Sequence, residues 1–308
     1  METVDVIIPV YKPDRGFLTM IEKLQAQTVP VGRIILMNTE QKYLDRLLYG
    51  TTLEREHHNI TVKHLSKWEF DHGRTRNQGV KLSDADVFMM MTQDAIPADE
   101  YLVERLLESL RGEKVAAAYA RQLPGRDSSE AERFTRQFNY PAESRVKTKA
   151  DLPELGVKTF FCSNVCAAYR RDIFDSLGGF VNRAIFNEDM LYAAKAVEAG
   201  YGIVYEAQAK VFHSHNYTYR QQFRRNFDLG VSQADHPEVF AKYPSESEGI
   251  KLVKSTVEHL RKKKMRSKIP DVIIQSGFKY MGYLMGKQYR RLPGRLVAAF
   301  SSNKEYWR

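Results

Sequence analysis

Two kinds of hydrophobic run alternate along this chain. Val4-Asp-Val-Ile-Ile-Pro-Val-Tyr11, Arg33-Ile-Ile-Leu-Met-Asn38, Ile60-Thr-Val-Lys-His-Leu65 and Val87-Phe-Met-Met-Met91 are short and nearly continuous. Runs of that form belong to strands buried on both faces, as in parallel sheets. Between the first two, Phe17, Leu18, Ile21 and Leu24 fall at amphipathic-helix spacing, and Tyr43, Leu44, Leu47 and Leu48 do so after the second. Strand–helix–strand order builds βαβ units, and hence a mostly parallel central sheet with helices on both faces. The first strand is expected to end at Pro9, and a polar turn to lead up to residue 60.

After Met91 the pattern predicts a helix ending near Leu110 and a strand over Val115–Arg121. A polar insertion follows over 121–158, with a short helix around Ala131–Phe138. So long a stretch without periodicity is usually functional or mobile. Lys158–Tyr169 then reads as a strand, Arg171–Phe180 as a short helix closed by Gly178-Gly179, Leu191–Ala199 as a helix and Gly202–His213 as the last strand. From Thr218 onward the spacing is helical, with a basic helix after Gly249 and another over Val272–Tyr289 beyond Pro270. The expected organisation is an α/β domain over residues 1–230 and a basic, aromatic-rich helical extension over 231–308.

At 308 residues and 43% hydrophobic, the chain can bury a full core. Its net charge of +9 is unevenly placed. Lys251–Arg308 holds 15 Lys and Arg against 3 Asp and Glu, whereas the first 250 residues hold 32 against 35. The excess belongs to the tail, which argues against a nucleic-acid-binding body and for a tail that meets phosphates or an anionic membrane surface. Cys162 and Cys166 give no disulfide framework and read as small buried thiols, so a reducing cytoplasm is expected. Met1-Glu-Thr-Val-Asp does not read as a secretory leader, and no apolar run reaches membrane-spanning length. The expected location is cytoplasmic, with peripheral association at the inner face of the cytoplasmic membrane as an option.

Four places carry candidate chemistry. Asp94 stands where the Val87–Met91 strand leaves the sheet, at the end where open α/β sheets bind ligands. There it can hold a hard cation that clamps a diphosphate, or it can cap a helix starting near Ala98. In Phe70-Asp-His-Gly-Arg-Thr-Arg-Asn77, a glycine and two arginines at a helix start suit a phosphate, although an ordinary βα loop looks the same. Glu188 and Asp189 open a helix, either complementing its dipole or presenting a general base. His213 and His215 would share one face of an extended strand and could bind a metal or serve as hydrogen-bonding structure.

In combination, Val-Ile-Ile-Pro-Val-Tyr11, Phe70-Asp-His-Gly-Arg-Thr-Arg-Asn77, Thr92-Gln-Asp-Ala-Ile-Pro97, Asn187-Glu-Asp-Met190 and His213-Ser-His-Asn-Tyr217 resemble family 2 glycosyltransferases, the inverting GT-A class, and within it the bacterial rhamnosyltransferase-like branch. The resemblance covers roughly residues 4–230. It implies a Rossmann-like GT-A fold and a divalent metal, Mg2+ or Mn2+, held by Asp94 with His213 and, as runner-up, His215. Thr92 stands where the family's metal motif has its first acid, and Ala95 where another acid often follows. The nucleotide-sugar donor is implied to meet Pro9, Tyr11, Asn38, Glu40, Asp71, Arg76, Gln93 and Asp94. Asp189 is the implied catalytic base, with Glu188 beside it. The implied reaction moves a sugar, rhamnose from dTDP-rhamnose by branch resemblance, to a hydroxyl of a growing surface glycan or polyprenyl-linked acceptor. Two other classes compete. A nucleotidyltransferase would carry a Gly-rich basic loop directly after the first strand, where Tyr11-Lys-Pro-Asp-Arg-Gly16 stands instead. A non-catalytic binding protein would work through its basic tail.

Overall fold

A computed structural model describes residues 3–51, 57–243 and 246–308. Part of the polar turn expected before residue 60 lies outside the described residues. By contacts the chain divides into two units: Met1–Gln122, Pro141–Arg183 and Glu188–His213 in the first, and Leu123–Tyr140, Ala184–Asn187 and Ser214–Arg308 in the second.

The first unit is built on one sheet. Its strands are β1 (Val4–Tyr11), β2 (Ile34–Thr39), β3 (Ile60–Leu65), β4 (Val87–Met91), β5 (Ile96–Pro97), β6 (Val115–Leu123), β7 (Arg145–Lys147), β8 (Cys166–Arg170) and β9 (Gly202–Phe212). They lie in the order β3-β2-β1-β4-β8-β6-β9-β5, with β7 also on β9. The first four are parallel neighbours, as the βαβ pattern requires. β8 then runs against β4, and β6 against β8, so β6 points the same way as the parallel four. Helices α1 (Arg15–Gln25), α2 (Gln41–Leu48), α3 (His72–Val80) and α4 (Leu102–Ser109) link or follow these strands. Val6, Ile8, Leu36, Met89 and Met91 from the strands join Phe17, Met20, Leu24 and Leu106 from the helices in one fully buried core. Burying side chains of this size stabilises the fold by about 1.5–3 kcal/mol each.

Three local expectations are corrected. β1 runs on through Pro9 to Tyr11, because β4 pairs with β1 only as far as Ile7 and beyond that β1 has a ladder on one side. A missing N–H is tolerated where no partner strand needs it. The helix after Asp94 starts at Leu102, not near Ala98, since Ile96 and Pro97 pair with Phe212 and Val211. Asp94 is therefore not the cap of that helix, whose N-cap is Tyr101. The strand expected over 158–169 is a 3-10 turn over Gly156–Phe160 followed by β8, so Ser163 and Asn164 leave the sheet.

The second unit is helical apart from its connecting segments. It holds α5 (Glu130–Asn139), and, after the first unit's α6 (Leu152–Leu155), α7 (Arg171–Ser176) and α8 (Glu188–Glu198), the run α9 (Tyr219–Asp235), α10 (Pro237–Phe240), α11 (Glu246–Lys262), α12 (Ile269–Lys287) and α13 (Gly294–Phe300). Its small core joins Ile185, Phe227, Val231 and Val297. α9 and α12 pack backbone to backbone. A Cβ on Gly230 would strike the Tyr283 carbonyl, and one on Gly282 or Gly286 would strike those of Phe223 or Phe227. Pro270 sits in the first turn of α12, where its missing N–H costs nothing. Among the described residues, no helix is long and apolar enough to cross a membrane.

Candidate active site

The carboxyl ends of β1, β2 and β4 gather the candidate donor-binding residues in the first unit. Gln93 closes the end of β1: its amide nitrogen donates to the Tyr11 carbonyl at 3.0 Å, and its oxygen accepts from the Tyr11 N–H at 2.8 Å. Pro9 lies beside Met37 and Val10 beside Asn38 in the β1–β2 register. Asn38 is fully buried, its Nδ2 2.9 Å from His64 Nδ1, while its Oδ1 lacks a partner. Glu40 takes a left-handed backbone, φ 65°, to turn into α2, and its carboxylate accepts from the Lys67 N–H at 3.3 Å.

Asp94 follows Gln93 with its side chain 43% exposed, and its Oδ1 lies 3.5 Å from His213 Nε2. His213 is buried just past the end of β9, not within the strand. Its Nδ1 is 2.9 Å from the Gln122 Oε1, and Gln122 Nε2 donates to Ser163 Oγ at 3.0 Å. That arrangement orients the amide oxygen toward the ring. Nδ1 then carries a proton, which leaves Nε2, the nitrogen facing Asp94, as the one that could ligate a metal. A carboxylate oxygen and an imidazole nitrogen suit Mg2+ or, better, Mn2+. His215 stands two residues further along the chain, within the second unit, and stacks on Tyr217 at 4.7 Å.

The loop after β3 is shaped by Asp71. Its Oδ1 accepts from the Gly73 and Arg74 N–H groups at 3.0 and 2.9 Å and caps α3. One turn on, Arg76 is buried, donates to the His72 carbonyl at 2.9 Å and forms an ion pair with Glu188 at 3.3 Å. Its Nε has no partner.

Glu188 and Asp189 are held by Asn164. Asn164 Nδ2 donates to Glu188 Oε1 at 3.0 Å, and its backbone N–H to Asp189 Oδ2 at 2.9 Å. The other Asp189 oxygen accepts from the Met190 N–H at 2.8 Å, and Tyr169 fixes the Asn164 amide by donating to its Oδ1 at 2.7 Å. The two acids separate in character. Burial pushes the Asp189 carboxyl up to about 7, helped by the negative charge of Glu188. Burial also opposes ionisation of Glu188, but Arg76, His72 and Asn164 outweigh it and hold that carboxyl below its ordinary value. One acid is a fixed anion and the other takes or gives a proton near neutrality, the division of labour that acid–base sites use.

Family-level comparison fits this geometry. Residues 5–178 match the model for glycosyl transferase family 2. The chain belongs to glycosyl transferase family 2. This glycosyltransferase is 38% identical over 306 residues to the O-antigen chain rhamnosyltransferase RfbN of Salmonella typhimurium, covering 99% of this chain and 96% of that one. It is 36% identical to the O-antigen chain rhamnosyltransferase WbaN of Salmonella anatum, with 100% and 96% covered. Its GT-A fold is shared with the mannosyltransferase PcManGT from Pyrobaculum calidifontis, solved in complex with GDP-Man and Mn2+, at a TM-score of 0.58 and 13% identity over 99% of this chain and 85% of that one. It is shared also with S. aureus TarS 1-349 in complex with UDP-GlcNAc, at 0.53 and 12% over 94% and 91%. Family membership decides for sugar transfer over nucleotidyl transfer or binding alone.

Asn164, Gln122 and Tyr169 were not among the sequence candidates. The one signal for Asn164 was a polar Ser-Asn pair interrupting an apolar run. Gln122 gave none, since a polar residue closing a strand is ordinary.

Proposed function

We propose that this enzyme transfers rhamnose from a nucleotide-linked donor, dTDP-rhamnose, to a hydroxyl of a growing surface glycan, with inversion at the anomeric carbon. The observation that carries the mechanism is the Asp189–Asn164–Glu188–Arg76 constellation, in which a single carboxylate is poised near neutrality. Full-length similarity to two O-antigen chain rhamnosyltransferases supports the sugar and the class of acceptor. A polyprenyl-linked glycan at the inner membrane face is the acceptor that best suits the basic helical region, through peripheral contact with an anionic surface.

Pro9, Tyr11, Asn38, Glu40 and Gln93 form the nucleoside end of the donor site, where the unpartnered Asn38 Oδ1 marks a position for a base or ribose donor group. Asp71 shapes the loop that brings Arg76 to the phosphate side, and the free Arg76 Nε marks a second position. Asp94 and His213 would hold a divalent metal, which when bound offsets charge on the diphosphate. Asp189 accepts the proton of the acceptor hydroxyl as its oxygen bonds to the anomeric carbon from the face opposite the donor. The bond from that carbon to the diphosphate oxygen breaks, and its electron pair leaves with the nucleoside diphosphate. Glu188 keeps its charge throughout, fixing Arg76.

The test is turnover against a panel of nucleotide-sugars with an acceptor glycan, first with Mn2+ or Mg2+ and then with chelator. Turnover restricted to dTDP-rhamnose and lost on chelation is expected. A different preferred donor overturns the sugar, and turnover that survives chelation overturns the metal.

A further inference from the structure

α12 has two faces of opposite character, both within the second unit. Val272, Gly282, Tyr283 and Gly286 are buried, and Tyr283 donates to Gln233 of α9 at 2.8 Å. The other side presents Ile273, Ile274, Tyr280, Met281 and Leu284, which are 40–56% exposed, with Phe278, 37% exposed, at its edge and stacked on Tyr219 of α9. At 100° per residue these six fall within one stripe, centred opposite the glycines that meet α9. Helix packing has consumed one face, and the stripe is what remains.

Solitary exposed apolar side chains are common, but a continuous stripe of Ile, Phe, Tyr, Met and Leu is not left in water without use. Charge indicates its occupant. Directly before α12, Arg261, Lys262, Lys263, Lys264, Arg266 and Lys268 are all exposed, and directly after it come Arg290, Arg291 and Arg295. Among the described residues, Lys262 pairs with Glu258, Lys263 with Glu130 and Arg290 with Asp235. A second copy of this chain would bring the same positive charges to meet them, and like charges facing each other oppose docking. An anionic lipid surface supplies both an apolar layer for the stripe and phosphates for the flanking cations.

We propose that the Ile273–Leu284 stripe of α12, with its basic flanks, is a docking face for an anionic bilayer surface, with the helix lying in the interface plane. This rests on the peripheral contact proposed above and assigns it a surface.

The test is flotation of the full-length protein with phosphatidylcholine vesicles, with and without phosphatidylglycerol. The variants are Ile273→Asn/Met281→Asn, whose side chains are more than half exposed, and Lys264→Gln/Arg266→Gln/Lys268→Gln. Binding that needs phosphatidylglycerol, falls with salt, and weakens about tenfold or more in each variant is the expected result. Binding that is absent, or equal in the variants, overturns the proposal. Vesicle-independent self-association that the Asn variant abolishes also overturns it, assigning the face to a second copy. Donor hydrolysis in solution should be the same for wild type and both variants. Failure of the wild type to transfer rhamnose to an acceptor glycan would overturn the proposed function while leaving the vesicle result standing.

Discussion

Replacing Glu188 by Gln separates the two acids of the site. Arg76 and Glu188 are an ion pair at 3.3 Å with both side chains 6% exposed, and Gln keeps the shape and the hydrogen bond from Asn164 but not the charge. Removing one partner of a buried pair typically costs 3–5 kcal/mol; with Asp189 left beside Arg76 to balance it in part, we expect about 3 kcal/mol. Asp189 should respond in the opposite sense to stability. Its carboxyl is raised by burial first and by the Glu188 charge second, while Arg76 lowers it. Without Glu188 the raising charge is gone and the Arg76 field is unshared, so the Asp189 carboxyl should ionise at lower pH. In the wild type a carboxyl raised in the fold contributes most to stability at acid pH and loses that contribution as pH rises from about 4 through about 7. Activity has the reverse dependence, because the base must be ionised: it should rise through about pH 7. The assay is initial transfer rate against pH, alongside urea unfolding at two pH values. The variant should show its rising activity limb displaced to lower pH, together with a smaller loss of stability across that window. A limb that stays in place, or moves to higher pH, refutes the assignment of Asp189 as the base coupled to Glu188.

Other substitutions probe the remaining parts. Asp189→Asn should abolish transfer while calorimetry still detects donor binding at near wild-type affinity; near-normal turnover would remove Asp189 from the chemistry. Gln122→Leu leaves Asp94 and His213 in place but takes away the acceptor that fixes the ring, so Mn2+ should bind about 10–100-fold more weakly, as read by metal titration. Gly286→Ala forces a Cβ into the Phe227 carbonyl and must spread α9 from α12, and a thermal melt should show a loss of more than about 1 kcal/mol. A neutral Gly286→Ala would mean that the two helices are not in backbone contact.

The sequence by itself determined the parallel half of the sheet, the order of its helices and the places where chemistry could stand. Hydrophobic runs do this because a strand covered on both faces cannot afford polar residues, and a helix covered on one side must repeat every three or four. Asp94, Glu188, Asp189 and His213 were legible as candidates because each follows a strand end or opens a helix, and Arg76 because it stands one turn into the helix that Asp71 caps. Their alternatives were not resolvable locally. Asp94 as a helix cap fails only because Ile96 and Pro97 find β9, more than a hundred residues later. Glu188 and Asp189 have adjacent places on one helix, and only the family resemblance singled out Asp189 as the base. The charge of Arg76 from α3 keeps Glu188 an anion despite its burial, whereas burial and the neighbouring Glu188 charge raise Asp189 to about 7 against the Asn164 hydrogen bond that lowers it. Those partners come from three distant segments, so their fields act through space that only the tertiary fold creates. Asn164 and Gln122 belong wholly to that second kind of information. An amide's donor and acceptor have no meaning until the fold decides what lies within 3 Å of each.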